Sequence, residues 1–165
     1  MNTRIICIGN DLMRDDGVGI HIGHLLSRLS LPDGVSVELA PHLGFDLLDV
    51  VASADRIILV DAMTTGRPVG TCVTLDGRSI ERYRVGAALS HTLGIAELME
   101  LAHRLAPERP PATLHFVGVE GAAFCELGTE LSPAVAAAIP VAVAAILHLI
   151  GAAEVVGKAA ALTRD

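Results

Sequence analysis

Two adjacent carboxylates, Asp15 and Asp16, stand in a tight polar run between Gly9 and Gly19. A third, Asp61, closes the cleanest apolar run of the chain, Arg56-Ile57-Ile58-Leu59-Val60-Asp61. His91 follows Ser90 where a helix is expected to start. Two carboxylates and an imidazole suit one hard or borderline divalent ion with positions left open for substrate. Such a site polarises a carbonyl or acidifies a bound water, or lets one carboxylate act as general base. Each residue also has an ordinary structural use. Either member of the Asp15–Asp16 pair suits the cap of the following helix, whose free N–H groups and dipole favour an anion. Asp61 suits a turn at a strand end, and His91 suits a first helical turn. Spacing alone leaves these readings side by side.

The elements around these residues decide whether they meet. The apolar run before Gly9 reads as a buried strand over roughly Arg4 to Ile8. Val18, Ile22, Leu25, Leu26 and Leu29 form the stripe of an amphipathic helix from about Asp16 to Leu29. A strand that passes through a tight loop into a helix delivers the loop to the carboxyl edge of a sheet, where open α/β folds keep their ligands. Val35 to Leu39 is a second strand after the Pro32-Asp33-Gly34 turn, and Gly44 to Val51 a short helix. Thr71 to Leu75 follows the Asp61 strand so closely that an antiparallel edge strand is expected. Ile80 to Leu89 carries no decisive pattern. From Ser90, the stripe Ile95, Leu98, Ala102 and Leu105 predicts a helix ended by Pro107. Leu114 to Val119 is the last buried strand, and Ser132-Pro133 opens the last helix in cap-then-Pro order. In that helix Val135, Ala138, Ile139, Ala142, Ile146, Leu149 and Ile150 share a face. The alternation predicts a three-layer α/β/α sandwich, phosphorylase/hydrolase-like, with a mostly parallel, roughly five-stranded twisted sheet. One domain is expected over 1–156, with 157–165 a loose tail.

Composition excludes several classes. The chain's 165 residues include 12 basic against 19 acidic ones, a net charge of -7 that repels phosphate backbones and argues against a nucleic-acid partner. The three cysteines, Cys7, Cys72 and Cys125, are odd in number and widely spaced, which suits a reducing cytoplasm rather than a disulfide framework. The segment before Gly9 is too short for a secretory apolar region. Ala134 to Ala153 lacks formal charge, but it is mostly alanine and contains Pro140 and His148, which predicts a buried helix rather than a membrane span. Cys7, at a strand-to-loop junction, is weighed as a nucleophile, with a buried strand cysteine the commoner case. His21 and His24 read as a solvated pair. Gly9, Gly17 and Gly19 do not match G-x-G-x-x-G, and the acidic pair would repel a pyrophosphate.

The pattern Cys7-Ile8-Gly9-Asn10, then Asp15-Asp16-Gly17-Val18-Gly19, resembles that of the nickel–iron hydrogenase maturation proteases. The likeness continues through Val60-Asp61-Ala62, Ser90-His91-Thr92-Leu93-Gly94, Val117-Gly118-Val119-Glu120 and Leu131-Ser132-Pro133, across nearly the whole chain. The resemblance implies an endopeptidase that removes a C-terminal extension from the hydrogenase large-subunit precursor after nickel insertion. It also implies Asp16, Asp61 and His91 as the metal-binding and reaction residues. Nickel would then be supplied by the substrate, with another divalent ion able to occupy the site in isolation. The expected partner is that precursor, with no nucleic acid and no membrane, and the chain itself a monomer or weak dimer in the cytoplasm. The alternative is a chaperone-like binder of the nickel-loaded subunit that does not cut it. Three departures stand out: Cys7 replaces a usual glycine, Asp16 stands where many relatives carry Glu, and Pro41-His42-Leu43-Gly44 lacks a Gly-Thr-rich look. The H-E-x-x-H of common zinc proteases is absent.

Overall fold

The computed structural model describes residues 1–42, 44–77, 79–80, 90–108 and 112–156, with backbone alone for 90–96 and 98. Among the described residues five strands form one sheet: β1 (Thr3–Ile8), β2 (Val35–Ala40), β3 (Arg56–Met63), β4 (Cys72–Asp76) and β5 (Thr113–Glu120). Their order is β2-β1-β3-β5-β4, parallel throughout except for β4, which pairs antiparallel with β5 at one edge. The expected architecture and the antiparallel edge strand are both present. Only a short connection separates β3 from β4, too few residues for a crossover helix, so β4 turns back instead.

The three central strands are apolar on both sides because both faces are covered. On one face Ile5, Cys7, Ile58, Val60, Val117 and Val119 pack against α1 (Val18–Leu26) and the last helix, Pro133–Leu149. On the other, Ile6, Ile8, Ile57, Leu59 and Phe116 pack against α2 (Leu48–Ser53) and α3 (Ser90–Leu105), which touch each other. The last helix is α4. Its predicted face is confirmed through Val135, Ala138, Ala142 and Ile146, joined by Val143 and Leu147. Pro133 opens it as expected, but Ser132 makes no side-chain cap. On α3, Ala102 is buried while Leu105, at the end of the predicted stripe, is 67% exposed. No helix among the described residues is long and apolar enough to cross a membrane. Residues 81–89 and the tail at 157–165 lie outside the described residues.

Helix α1 lies unusually close to the sheet. Gly19 and Gly23, four apart and so on one face, are the reason. A Cβ at Gly19 would run into the carbonyl oxygens of Ile8 and Val60, while one at Gly23 would meet Cys7. Cys7 therefore fills the space that Gly23 leaves. Gly19→Ala meets backbone that cannot step aside, and overpacking of this kind costs about 1–3 kcal/mol or more. It is expected to lower the melting temperature by several degrees or to prevent soluble expression. A variant that melts with the wild type would show that α1 shifts freely.

The chain leaves β1 to one side for β2 and then jumps back across β1 to β3. The reversal makes the gap between β1 and β3 the switch point of the sheet, where the loops at the carboxyl ends part and leave a crevice.

Candidate active site

The loop after β1 is prefolded by its own side chains. Gly9 has φ +142°, and a Cβ there would collide with the carbonyl of Asp16, so only glycine fits. Asn10 folds the chain back: its Oδ1 accepts from Leu12 N at 3.0 Å, and its carbonyl accepts from Met13 N at 3.0 Å. The Asp16 carboxylate in turn accepts from Asn10 N at 3.0 Å. A 3-10 turn, Arg14–Gly17, then leads into α1. The helix thus begins two residues after Asp16, and neither aspartate caps it.

The two neighbours have separate tasks. Asp15 is completely buried. Its Oδ2 accepts from Ala122 N and Ala123 N, both at 3.0 Å, and its Oδ1 from Ser132 N at 2.8 Å. Burial pushes its pKa up, but the backbone donors of Ser132, Ala123 and Ala122 outweigh it and hold the carboxyl below its ordinary value. Asp15 is therefore a structural anion that ties loop 121–132 to loop 9–17. The tie is reinforced by Arg14 N to Gly128 O at 2.8 Å, Gly128 N to Leu12 O at 3.0 Å and the Arg14–Glu126 ion pair at 2.9 Å. Arg14 itself is held at φ +47°, a left-handed conformation that costs a non-glycine residue about 1–2 kcal/mol. Asp16, by contrast, is only half-buried, and among the described residues its carboxylate bonds Asn10 N through Oδ2.

Asp61 stands where β1 and β3 separate. The β1–β3 pairing ends at Cys7 and Val60, and the next residue of β3 is Asp61, still paired with Gly118 of β5. It is 3% exposed, and its Oδ1 accepts from Ala62 N at 2.8 Å. Gly118 must lack a side chain because the Phe116 ring and the Met63 thioether lie over it. The turn Arg14–Gly17 touches β3, and a Cβ on Gly19 would meet the carbonyl of Val60, so the turn that carries Asp16 lies beside the strand end that carries Asp61. His91 is the second residue of α3. Only seven residues separate Leu105 from Thr113 at the amino end of β5, so α3 runs antiparallel to the strands and its first turn lies toward the carboxyl edge. The His91 side chain is outside the described residues. Among those described, no three His, Cys, Asp or Glu side chains are grouped to hold an ion.

Other candidates fall away. Cys7 is fully buried, and burial pushes its thiol well above the ordinary range, so it is not a nucleophile. His24 is exposed, as expected of a solvated face. His115, near the amino end of β5, has its pKa lowered by burial and by Arg56, with Asp76 opposing. It is remote from the crevice. Glu120, which the sequence reading gives no role, closes an apolar run just as Asp61 does. That shared pattern was the available signal.

A family model described as hydrogenase maturation protease matches residues 20–149. The chain is 36% identical over 143 residues to protein FrxA of Pyrococcus furiosus, covering 86% of this chain and 100% of the relative. It is 30% identical to the hydrogenase 2 maturation protease of Escherichia coli K12, over 72% of this chain and 73% of that one. Its fold superposes on the solved hydrogenase maturating endopeptidase HybD from E. coli with a TM-score of 0.79, at 27% identity, covering 92% of this chain and 93% of that one.

Proposed function

The chain belongs to the hydrogenase maturation protease family, and on that premise we propose that it removes the C-terminal extension of a nickel–iron hydrogenase large-subunit precursor once nickel is seated there. Asp16, Asp61 and His91 are the reaction residues of this proposal and engage the nickel as part of the substrate. What supports the reading is that the turn bearing Asp16 lies against β3, which bears Asp61 just past its last pair with β1. Two carboxylates and an imidazole are a donor set that nickel(II) accepts. An ion held there supplies Lewis acidity to a carbonyl or a water. The chain's own residues fix that ion relative to the scissile bond, and a carboxylate oxygen of Asp16 or Asp61 turned away from the ion accepts the proton of the attacking water. We place the reaction in the cytoplasm, a reading supported by three free cysteines.

Intact-mass measurement on nickel-loaded and nickel-free precursor tests the proposal. The expected result is loss of a C-terminal peptide from the loaded form alone. A stable complex without mass loss would identify the non-catalytic binder instead.

Asp16→Glu tests the shorter carboxylate. The longer side chain reaches further into the crevice while giving up the bond to Asn10 N. Trimming is expected to stay within about tenfold of wild type, equivalent to ~1.4 kcal/mol of barrier. A folded but inactive variant would mean that the short reach of Asp16 sets the geometry.

A further inference from the structure

We propose that Glu120 is a positioning residue for Asp61, acting through the turn by which the chain leaves β3. The proposal rests on the reading of Asp61 given above. Glu120 ends β5 and pairs in register with Met63, so it shares a sheet face with Met63 and Asp61. It is 2% exposed. A buried carboxylate needs partners, and these come from one turn. Oε1 accepts from Thr65 N at 2.6 Å and from Gly66 N at 2.8 Å, and Oε2 accepts from the Thr65 hydroxyl at 2.8 Å. Arg67 Nη1 donates to the same hydroxyl oxygen at 3.3 Å.

The main chain of Glu120 belongs to the same knot. Its N–H donates to Thr71 O at 2.9 Å, its carbonyl accepts from Gly70 N at 2.8 Å, and the next amide, Gly121 N, donates to Met63 O at 3.1 Å. The segment from Asp61 to Thr65 is thus held at two ends. One is the β3–β5 ladder, and the other is the Glu120 carboxylate. The ladder runs on through Ala62 to Met63, and within this last stretch of it the Ala62 amide donates to Asp61 Oδ1. Loosening the outer anchor lets the end of β3 fray, turns that amide, and with it the Asp61 carboxylate. Buried and occupied on both oxygens, Glu120 acts on Asp61 and not on substrate.

The test compares Glu120→Gln and Thr65→Val in the full chain, measuring melting temperature, kcat and KM for nickel-loaded precursor. Glu120→Gln keeps the shape but offers an N–H where Oε2 accepted the Thr65 hydroxyl. Misplacing a reacting group costs rate rather than binding, so kcat should fall about tenfold or more while KM stays within about twofold. Thr65→Val, which removes one bond of the network, should give a smaller fall of the same kind. Ile146→Val, in the core of α4, supplies a control for lost stability alone and should keep the wild-type kcat. Wild-type kcat in a folded Glu120→Gln chain overturns the proposal. If that variant does not fold, wild-type kcat in Thr65→Val does the same. A wild-type chain that leaves the precursor whole overturns the functional reading itself, and this role with it.

Discussion

Asp61→Ala is expected to reduce precursor trimming at least about a thousandfold, the scale on which proton-transfer and charge-positioning groups act, while leaving the fold intact. The expectation follows from where Asp61 sits. It is the first residue of β3 beyond the pairing with β1 and is not part of either apolar cluster, so truncating it costs the bond from Ala62 N, about 1–3 kcal/mol, rather than a place in the core. The ladder to β5 through Gly118 and Val119 is made of main chain and survives. Asp61→Asn, which keeps shape and loses charge, should be almost as inactive. Circular dichroism and thermal melting establish that both variants are folded, and intact-mass assays then read trimming. Normal trimming by a folded Asp61→Ala chain would remove Asp61 from the reaction.

Asp15→Ala is expected to do the opposite kind of damage. Three backbone donors converge on this carboxylate in a fully buried site. Hydrogen bonds to a charged group contribute about 1.5–3 kcal/mol each, and unsatisfied donors are costly, so a loss on the order of 3–5 kcal/mol is expected. In a chain of this size that corresponds to roughly 10 °C or more in melting temperature. The neighbouring Asp16→Ala should melt close to wild type and yet fail to trim. Acid provides a second reading of Asp15. Its folded pKa lies below the unfolded value, so the unfolded chain binds the proton more readily. Its contribution is complete above the ordinary carboxylate range, near pH 4, and is lost as pH falls through the lowered value. Asp15→Asn should therefore remove part of the acid sensitivity of unfolding. Equal melting losses for Asp15→Ala and Asp16→Ala would contradict the division of labour between them.

The sheet was legible because its central strands are apolar on both faces, a pattern that runs of Ile, Val and Leu display without help from context. The edge strand was legible from chain length alone, since the link from β3 to β4 cannot hold a crossover helix. The roles of the acidic pair were not. A carboxylate before an amphipathic stripe looks like a cap, but the partners of Asp15 are Ala122, Ala123 and Ser132. No local rule connects residues more than a hundred positions apart. Ser132 misled in the complementary way: its side chain suggested a cap, whereas its main-chain N–H does the bonding. Glu120 shares with Asp61 the pattern of a carboxylate closing a buried strand. What separates them is the turn folded over Glu120, which is visible only in three dimensions. The switch point between β1 and β3 likewise depends on strand order, which no stretch of sequence encodes by itself.

The proposed reaction needs Asp16, Asp61 and His91 to close on one divalent ion in the crevice between β1 and β3. Crystals of the chain soaked in nickel, with data collected at the nickel absorption edge, test this. The expected result is a single anomalous peak at the carboxyl edge, about 2.0–2.2 Å from oxygens of both aspartates and a nitrogen of His91. A peak elsewhere on the molecule, or His91 turned away from the two carboxylates, would contradict it.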